Sequence, residues 1–420
     1  MPDIGCWTLV IWSSVQHPVS SIQRPILLAI QGGNAYDCGS GFSTVTSLVP
    51  TYNVHQIALS LVPGVGGVLI RQLISYGGSA EAILAMPPAR LMKIPGIGEV
   101  TARAIRQPNL LPDAEKAVRL LEKTGTSVLF YTDANYPTRL KTLYDAPALL
   151  YKLGNADLNA TRTLALVGTR QATDYGRRIT EEIVQTMQPY GVSIISGLAY
   201  GIDIAAHRAS LAAGLPTVGV MASGIDIIYP SAHARTAHDM QELGALLTEH
   251  LPGVKPDPRF FPARNRIIAG LSDAVVIVEA AAKGGALITA EYANNYNREV
   301  FAVPGQVTQQ FSAGCNKLLR ENKAQIYTSP ADLIETLNWD VDPAKQVAAK
   351  SSASAPLPLD FTTQETQVVS LLRQNPAIHV DELSWQSQIP MGQLASLLLS
   401  LEFRGYVRTL PGKRYEVVYV

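Results

Sequence analysis

Residues 151–340 constrain the fold most, because short, predominantly apolar segments alternate there with amphipathic helical ones. Leu164–Val167, Val192–Ile195, Thr217–Met221, Ala245–Thr248, Ala274–Val278 and Glu299–Val303 read as strands. Arg177–Met187, Ile204–Ala213, Ala232–Leu243 and Leu287–Tyr296 read as the helices between them. A strand without polar alternation is buried on both faces, and a strand followed by a helix pairs in parallel with the next strand. The expected fold class is therefore α/β, with a Rossmann-like parallel sheet core over 151–340.

The flanks follow other rules. Between Tyr52 and Gly125 the hairpin Pro63-Gly64-Val65-Gly66 returns 32 residues later as Pro95-Gly96-Ile97-Gly98, and a helix follows each copy. This internal repeat predicts an N-terminal helical domain of helix-hairpin-helix, SAM-like type over 52–150. Residues 341–360 are mostly small and polar and carry prolines, the composition of a linker. Helices at 366–373, 380–386 and 391–403, followed by a hairpin through Pro411-Gly412-Lys413, predict a C-terminal winged helix-turn-helix over 361–420. Residues 1–51 are almost free of charge and hold no sustained period, which reads as a disordered extension or as a small β element.

Charge balance excludes a wholesale polyanion binder, since 34 Lys and Arg face 34 Asp and Glu. The core segment carries 16 basic and 18 acidic residues, so a nucleic-acid site there must rest on a few well-placed arginines. With 47% hydrophobic residues the chain as a whole is not disordered. The best early apolar run, Thr8–Trp12, is far shorter than the ~20 residues of a membrane helix. No Lys or Arg precedes Arg24, so a secretory signal is not expected. Cys6, Cys38 and Cys315 are scattered and form neither a disulfide framework nor a metal set, which fits a reducing cytoplasm. His233 and His238 lie five apart and miss the i, i+4 zinc spacing, and His207 reads as a packed or hydrogen-bonded helix residue. No cofactor or metal is implied.

Ligands of open parallel sheets bind beyond the carboxyl ends of the strands. Gly168-Thr169-Arg170, Ser196-Gly197 and Glu279 with Lys283-Gly284-Gly285 follow three of the expected strands. Gly, Ser or Thr and a basic group around one crevice suit a phosphate chain, although the same glycines also serve simply to shape βα turns. In Phe260-Phe261-Pro262-Ala263-Arg264-Asn265-Arg266, arginines two apart cannot share a helix face. The expectation is one arginine in the crevice and one paired structurally. Asn265 either reads a base edge or caps the helix, and the adjacent aromatics either stack on bases or fill the core.

These segments, with Gly201-Ile202-Asp203, Tyr229-Pro230, the block Phe261–Ser272 and Phe301-Ala302-Val303-Pro304-Gly305, resemble the DNA-processing protein A (DprA/Smf) family. The resemblance spans residues 52–420. It implies a single-stranded DNA-binding protein, not an enzyme, that protects incoming DNA and loads the RecA recombinase in natural transformation. It also implies a cytoplasmic homodimer formed through the Rossmann-like domain. The family's DNA-binding arginine falls on Arg170, and its Arg-Asn-Arg on Arg264, Asn265 and Arg266. The expected DNA-binding set is Gly168, Thr169, Arg170, Ser196, Gly197, Arg264, Asn265, Arg266, Lys283 and Gly284. Thr169 replaces the family's usual Ser, and Lys283-Gly284-Gly285 its Ser-Gly-Ser loop. The segment Phe311–Leu319 is a candidate dimer face, unless Leu318 and Leu319 cover the last strand instead.

The residues also bear on two other functions. Nucleoside-monophosphate glycosidases on a similar core carry Pro-Gly-Gly-x-Gly-Thr-x-x-Glu, which aligns Gly284, Gly285 and Glu291. Leu287 and Ile288 then replace the Gly-Thr, and neither side chain donates a hydrogen bond to phosphate. A duplex-reading regulator is disfavoured because the candidate recognition helix Met391–Glu402 holds no Lys or Arg and the 361–420 segment is neutral.

Overall fold

The computed structural model describes residues 52–339, 361–375 and 377–418. Residues 1–51 and the expected linker at 341–360 lie outside the described residues.

Among the described residues nine strands form one sheet: β1 (Ser127–Phe130), β2 (Leu149–Gly154), β3 (Thr163–Val167), β4 (Ser193–Ser196), β5 (Thr217–Val220), β6 (Ala245–Thr248), β7 (Ala274–Ile277), β8 (Glu299–Ala302) and β9 (Gln325–Ile326). Their order is β1-β2-β6-β5-β4-β3-β7-β8-β9. From β6 to β9 every pairing is parallel, as the unbroken apolar runs require. Alternate residues feed opposite layers: Ala165, Val167, Val275 and Ile277 pack into one, and Leu164, Leu166, Ala274 and Val276 into the other. Each strand expected from the sequence is present, with ends displaced by no more than one residue.

The sheet also takes in β1 and β2, which pair antiparallel with each other, and β2 pairs antiparallel with β6. A domain boundary at 150/151 therefore falls inside β2. The reason is physical: the connection from β1 to β2 holds only the four-residue helix Thr138–Lys141, too short to carry the chain across the sheet, so the two strands pair antiparallel. The repeated hairpins end and start short helices, Val54–Ser60, Gly67–Gly77, Pro88–Leu91 and Glu99–Ile105. Gly64 and Gly96 carry the positive φ that the tight turn needs, at 77° and 79°. Ile57, Leu73, Ile83 and Leu121 fill this domain's core and pack on Phe130, Leu149 and Tyr151 of the first two strands.

The winged helix is built as the periodicity predicts, with helices Thr363–Gln374, Val380–Ser387 and Met391–Phe403 and the strands β10 (Ile378–His379), β11 (Val407–Leu410) and β12 (Arg414–Val417). Its wing reaches the sheet. The Gly412 amide donates to the Asn297 carbonyl at 3.0 Å, and the Arg414 guanidinium pairs with Asp273 at 2.8 Å. Asp273 immediately precedes β7, so this contact lies at the amino end of the parallel strands.

Candidate nucleic-acid interface

Strand order reverses at β3, which neighbours both β4 and β7, and the crevice opens at the carboxyl ends of these strands. Its volume is about 470 Å³. Glu279, closing β7, fixes one wall. Its carboxylate accepts from the Thr173 amide at 2.9 Å and hydroxyl at 2.6 Å, and its carbonyl accepts from the Thr169 amide at 2.7 Å. Thr173 in turn caps the helix Asp174–Met187. The loop 168–173 is thereby held open while Arg170 projects from it.

The second wall is the loop 197–203. Gly201 has φ of 80°, and a Cβ there would sit 2.1 Å from the Thr169 carbonyl, so only glycine lets the two loops abut. At Gly197 a Cβ would strike the Arg264 guanidinium at 2.5 Å. Arg264, 4% exposed, donates to the Gly197 carbonyl at 2.6 Å and also to the Val220 carbonyl. Burial pushes its pKa down to about 10, with Asp203 opposing the shift. Burial likewise raises Asp203, against the pull of Arg264 and of the Ala199 and Gly197 amides it accepts. His207 completes the scaffold: its Nε2 accepts from the Leu198 amide at 3.3 Å, and its Nδ1 lies 2.7 Å from the Thr217 hydroxyl. Burial lowers its pKa to about 3, so the ring is neutral and Nδ1 is the donor.

Of the sequence-predicted residues, Gly168, Thr169, Arg170, Arg264, Asn265 and Gly284 line the crevice. Gly197 lines a side slot that opens from it. Ser196, Arg266 and Lys283 line neither. Ser196 is buried and donates to the Leu166 carbonyl at 2.6 Å. Arg266 is taken up by Glu249 and by the Asp145 carbonyl. Lys283 is exposed beside the rim. Arg264 lines the crevice and Arg266 is paired, the division expected of Arg-Asn-Arg, but the Arg264 guanidinium is also engaged by backbone carbonyls within the protein. Asn265 spends its amide on the Gly285 carbonyl at 3.4 Å rather than on a helix cap.

Arg170 differs from these. It is exposed, has no carboxylate partner among the described residues, and its guanidinium stands 5.2 Å from the Phe261 ring centre. Phe261 and Tyr229 line the crevice and meet edge to face at 5.8 Å, whereas Phe260 turns away to stack on His250 at 4.2 Å. Phe261 thus faces the crevice, while Phe260 is half-buried against His250 and joins none of the core clusters. Tyr200, Tyr229 and Pro258 were not among the predicted site residues. The available signal for the two tyrosines was their place in the loops that follow β4 and β5. Glu291, the glycosidase-register carboxylate, is exposed and outside the crevice lining.

A Rossmann-like sheet with a crevice at its switch point, a helix-hairpin-helix domain on one side and a winged helix on the other define a three-part DNA-processing architecture. The chain belongs to the DprA/Smf family: residues 127–338 match the model of DNA recombination-mediator protein A. Residues 348–413 match the DprA winged helix domain, and 57–107 the SAM-like helix-hairpin-helix tandem. Protein Smf of Synechocystis is 32% identical over 392 residues, covering 86% of this chain and 98% of that one. The DNA processing protein DprA of Streptococcus pneumoniae is 42% identical over 202 residues, 48% of this chain and 71% of that one. The X-ray structure of the same Streptococcus protein superposes with a TM-score of 0.57 at 33% identity, covering 68% of this chain and 98% of that chain. Among the described residues no helix is long and apolar enough to cross a membrane.

Proposed function

We propose that the protein binds single-stranded DNA in the crevice beyond β3, β4 and β7 and passes it to the RecA recombinase during uptake of DNA by transformation. The observation that carries this reading is Arg170, a cation with no carboxylate partner among the described residues, held over an aromatic ring at the mouth of a crevice. Phosphates meet the guanidinium and unstacked bases meet the ring, the combination that suits single strands. The remaining expected DNA residues act here as the frame: Gly168, Thr169 and Gly284 as close backbone walls, and Ser196, Gly197, Arg264 and Asn265 as loop supports. Lys283 adds rim charge, and Arg266 supports the helix that carries Phe261. The recombinase side of the reading rests on family membership.

The protein acts by binding rather than catalysis. Asp203, the carboxylate at the crevice, is occupied by two backbone amides and lies against the buried Arg264. A homodimer through the Rossmann-like domain is supported by the sheet edge. Among the described residues β9 pairs only with β8, Ile326 on it is 53% exposed, and an edge strand of this kind invites pairing with a second copy. Leu318, in the expected dimer segment, is instead buried in the sheet's own core, with Leu319 packed against it. A cytoplasmic location and the domain limits of the sequence reading, apart from the 150/151 boundary, belong to the same proposal.

The test is fluorescence anisotropy with labelled oligothymidylate against the matching duplex over a salt series. Single-strand preference that is lost in Arg170→Ala, together with a salt slope lower by about 0.7, is expected. Equal affinity for both forms, or no response to Arg170→Ala, overturns the reading. Incubation with AMP checks the enzyme alternative, since released adenine would establish a glycosidase.

A further inference from the structure

We propose that the side slot is a second nucleobase subsite, so that each crevice grips two successive nucleotides with one phosphate between them. The inference rests on the single-strand reading above and specifies how the strand lies. The slot, about 90 Å³, is lined by Arg170, Gly197, Tyr200, Tyr229, Pro230 and Phe261, among others. Arg170, Tyr229 and Phe261 also line the main crevice. The Arg170–Phe261 pair is therefore a divider between two adjoining chambers. A phosphate held on the divider's guanidinium leaves the base on its 5′ side to one chamber and the base on its 3′ side to the other.

The slot suits a base rather than an ion. No carboxylate lines it, and Arg170 is the sole charged residue of its lining. Its aromatic walls are braced from behind. Tyr200 meets the His233 ring at 4.9 Å in a T-shaped contact, and His233 is itself fixed by its 2.8 Å hydrogen bond to the Leu198 carbonyl. Tyr229 is braced by Phe261. Both tyrosines are about half exposed, at 49% and 50%, so they present ring area that the core does not use. At about 90 Å³ the slot is too small to enclose a base, which stacks on the tyrosine wall with an edge in solvent. The Ser223 hydroxyl, at the slot's floor, already donates to the Ile227 carbonyl. Stacking without edge recognition tolerates any base, because every base has a π-face.

The experiment compares a labelled oligothymidylate with an abasic deoxyribose-phosphate chain of equal length, on wild type, Tyr200→Ala/Tyr229→Ala, Tyr200→Phe/Tyr229→Phe and Arg170→Ala. The double alanine variant is expected to lose about tenfold on the base-bearing strand and nothing on the abasic chain, a loss within the range of one stacked base. The double phenylalanine variant, which keeps both rings, restores binding, and the loss confined to the base-bearing strand is what a merely structural defect would not predict. Wild-type affinity of the double alanine variant for the base-bearing strand, or an equal loss on both strands, overturns the subsite. If Arg170→Ala still weakens both strands, the crevice reading survives that result. If Arg170→Ala changes neither, crevice and subsite fall together.

Discussion

At the amino ends of β3 and β7, Arg139, Arg298 and Arg414 gather around Asp273; at the carboxyl ends of the same strands, Arg170 stands over Phe261 without a carboxylate. The Asp273 carboxylate accepts from Arg139 Nε and Nη2 at 2.9 Å each, from Arg414 at 2.8 Å, and from the Thr163 amide and hydroxyl at 3.0 Å. Burial alone would raise its pKa, but the Arg139 and Arg414 guanidinium groups overcome this and hold it below the usual carboxylate range. Arg298 donates to the Arg139 and Gly270 carbonyls, and burial pushes it down to about 10. One end of the sheet has used its arginines to join core and winged helix. The other has kept one in reserve. Arginine content does not separate these regions; the presence of an internal partner does.

The largest effect should come from breaking the amino-end cluster. Asp273→Asn leaves buried guanidinium groups without their counter-charge and is expected to cost about 3–5 kcal/mol in urea denaturation. A cost below about 1 kcal/mol would show that the three arginines are hydrated and the contrast between the ends is false. Arg264→Met probes the frame at the other end. Here the loss should be smaller, about 1.5–3 kcal/mol, the range for hydrogen bonds to a charged group. Asp203 can relieve its own isolation by protonation, a route already favoured by its raised pKa. Because Arg264 supports the loop and touches no phosphate in this reading, the variant should weaken DNA binding with the salt slope unchanged. A slope lowered as far as in Arg170→Ala would move Arg264 into the interface.

His207 belongs to the same frame and gives a pH test. Its folded pKa, about 3, lies below the ordinary 6.5. As pH falls below 6.5, the unfolded chain binds a proton that the folded protein refuses, so stability present above 6.5 is progressively lost until pH nears 3. The contribution is at most about 1.4 kcal/mol per pH unit. His207→Asn should flatten the stability-against-pH curve across that window relative to wild type. An unchanged curve would mean that the ring protonates in place and that the loop 197–203 tolerates a charge.

Much of this contrast was not readable from the sequence. The parallel strands were, because a strand buried on both faces writes a contiguous apolar run, as Leu164–Val167 and Ala274–Val278 do. The switch point followed from the strand ends, and with it Gly168, Arg170 and Gly284. The pairing of charges did not follow. Arg264 meets Gly197 67 residues away, and Arg414 meets Asp273 141 residues away. No local period encodes such a contact. The same holds for β2, whose pairing with β6 across the expected domain boundary depends on tertiary packing. Phe260 and Phe261 are adjacent and chemically identical, yet one packs on a histidine and the other faces the crevice. Helix rotation decided between them, and rotation depends on where the helix begins.

The smallest effect on stability is expected from the residue with the largest role in binding. Arg170 forms no internal ion pair among the described residues, and its contact with the Phe261 ring at 5.2 Å is solvent-exposed. Arg170→Ala should therefore change the unfolding free energy by no more than about 0.5 kcal/mol, as at surface positions without special contacts. It should nonetheless lower the single-strand salt slope by about 0.7. Arg414→Ala is the mirror case: it should leave the salt slope at the wild-type value while loosening the winged helix. Faster limited proteolysis within 341–360 would report that release. The two variants together separate the ends of the sheet. If Arg414→Ala lowers the salt slope as far as Arg170→Ala does, the wing contributes to the DNA path, and the division of labour between the two arginine groups does not hold.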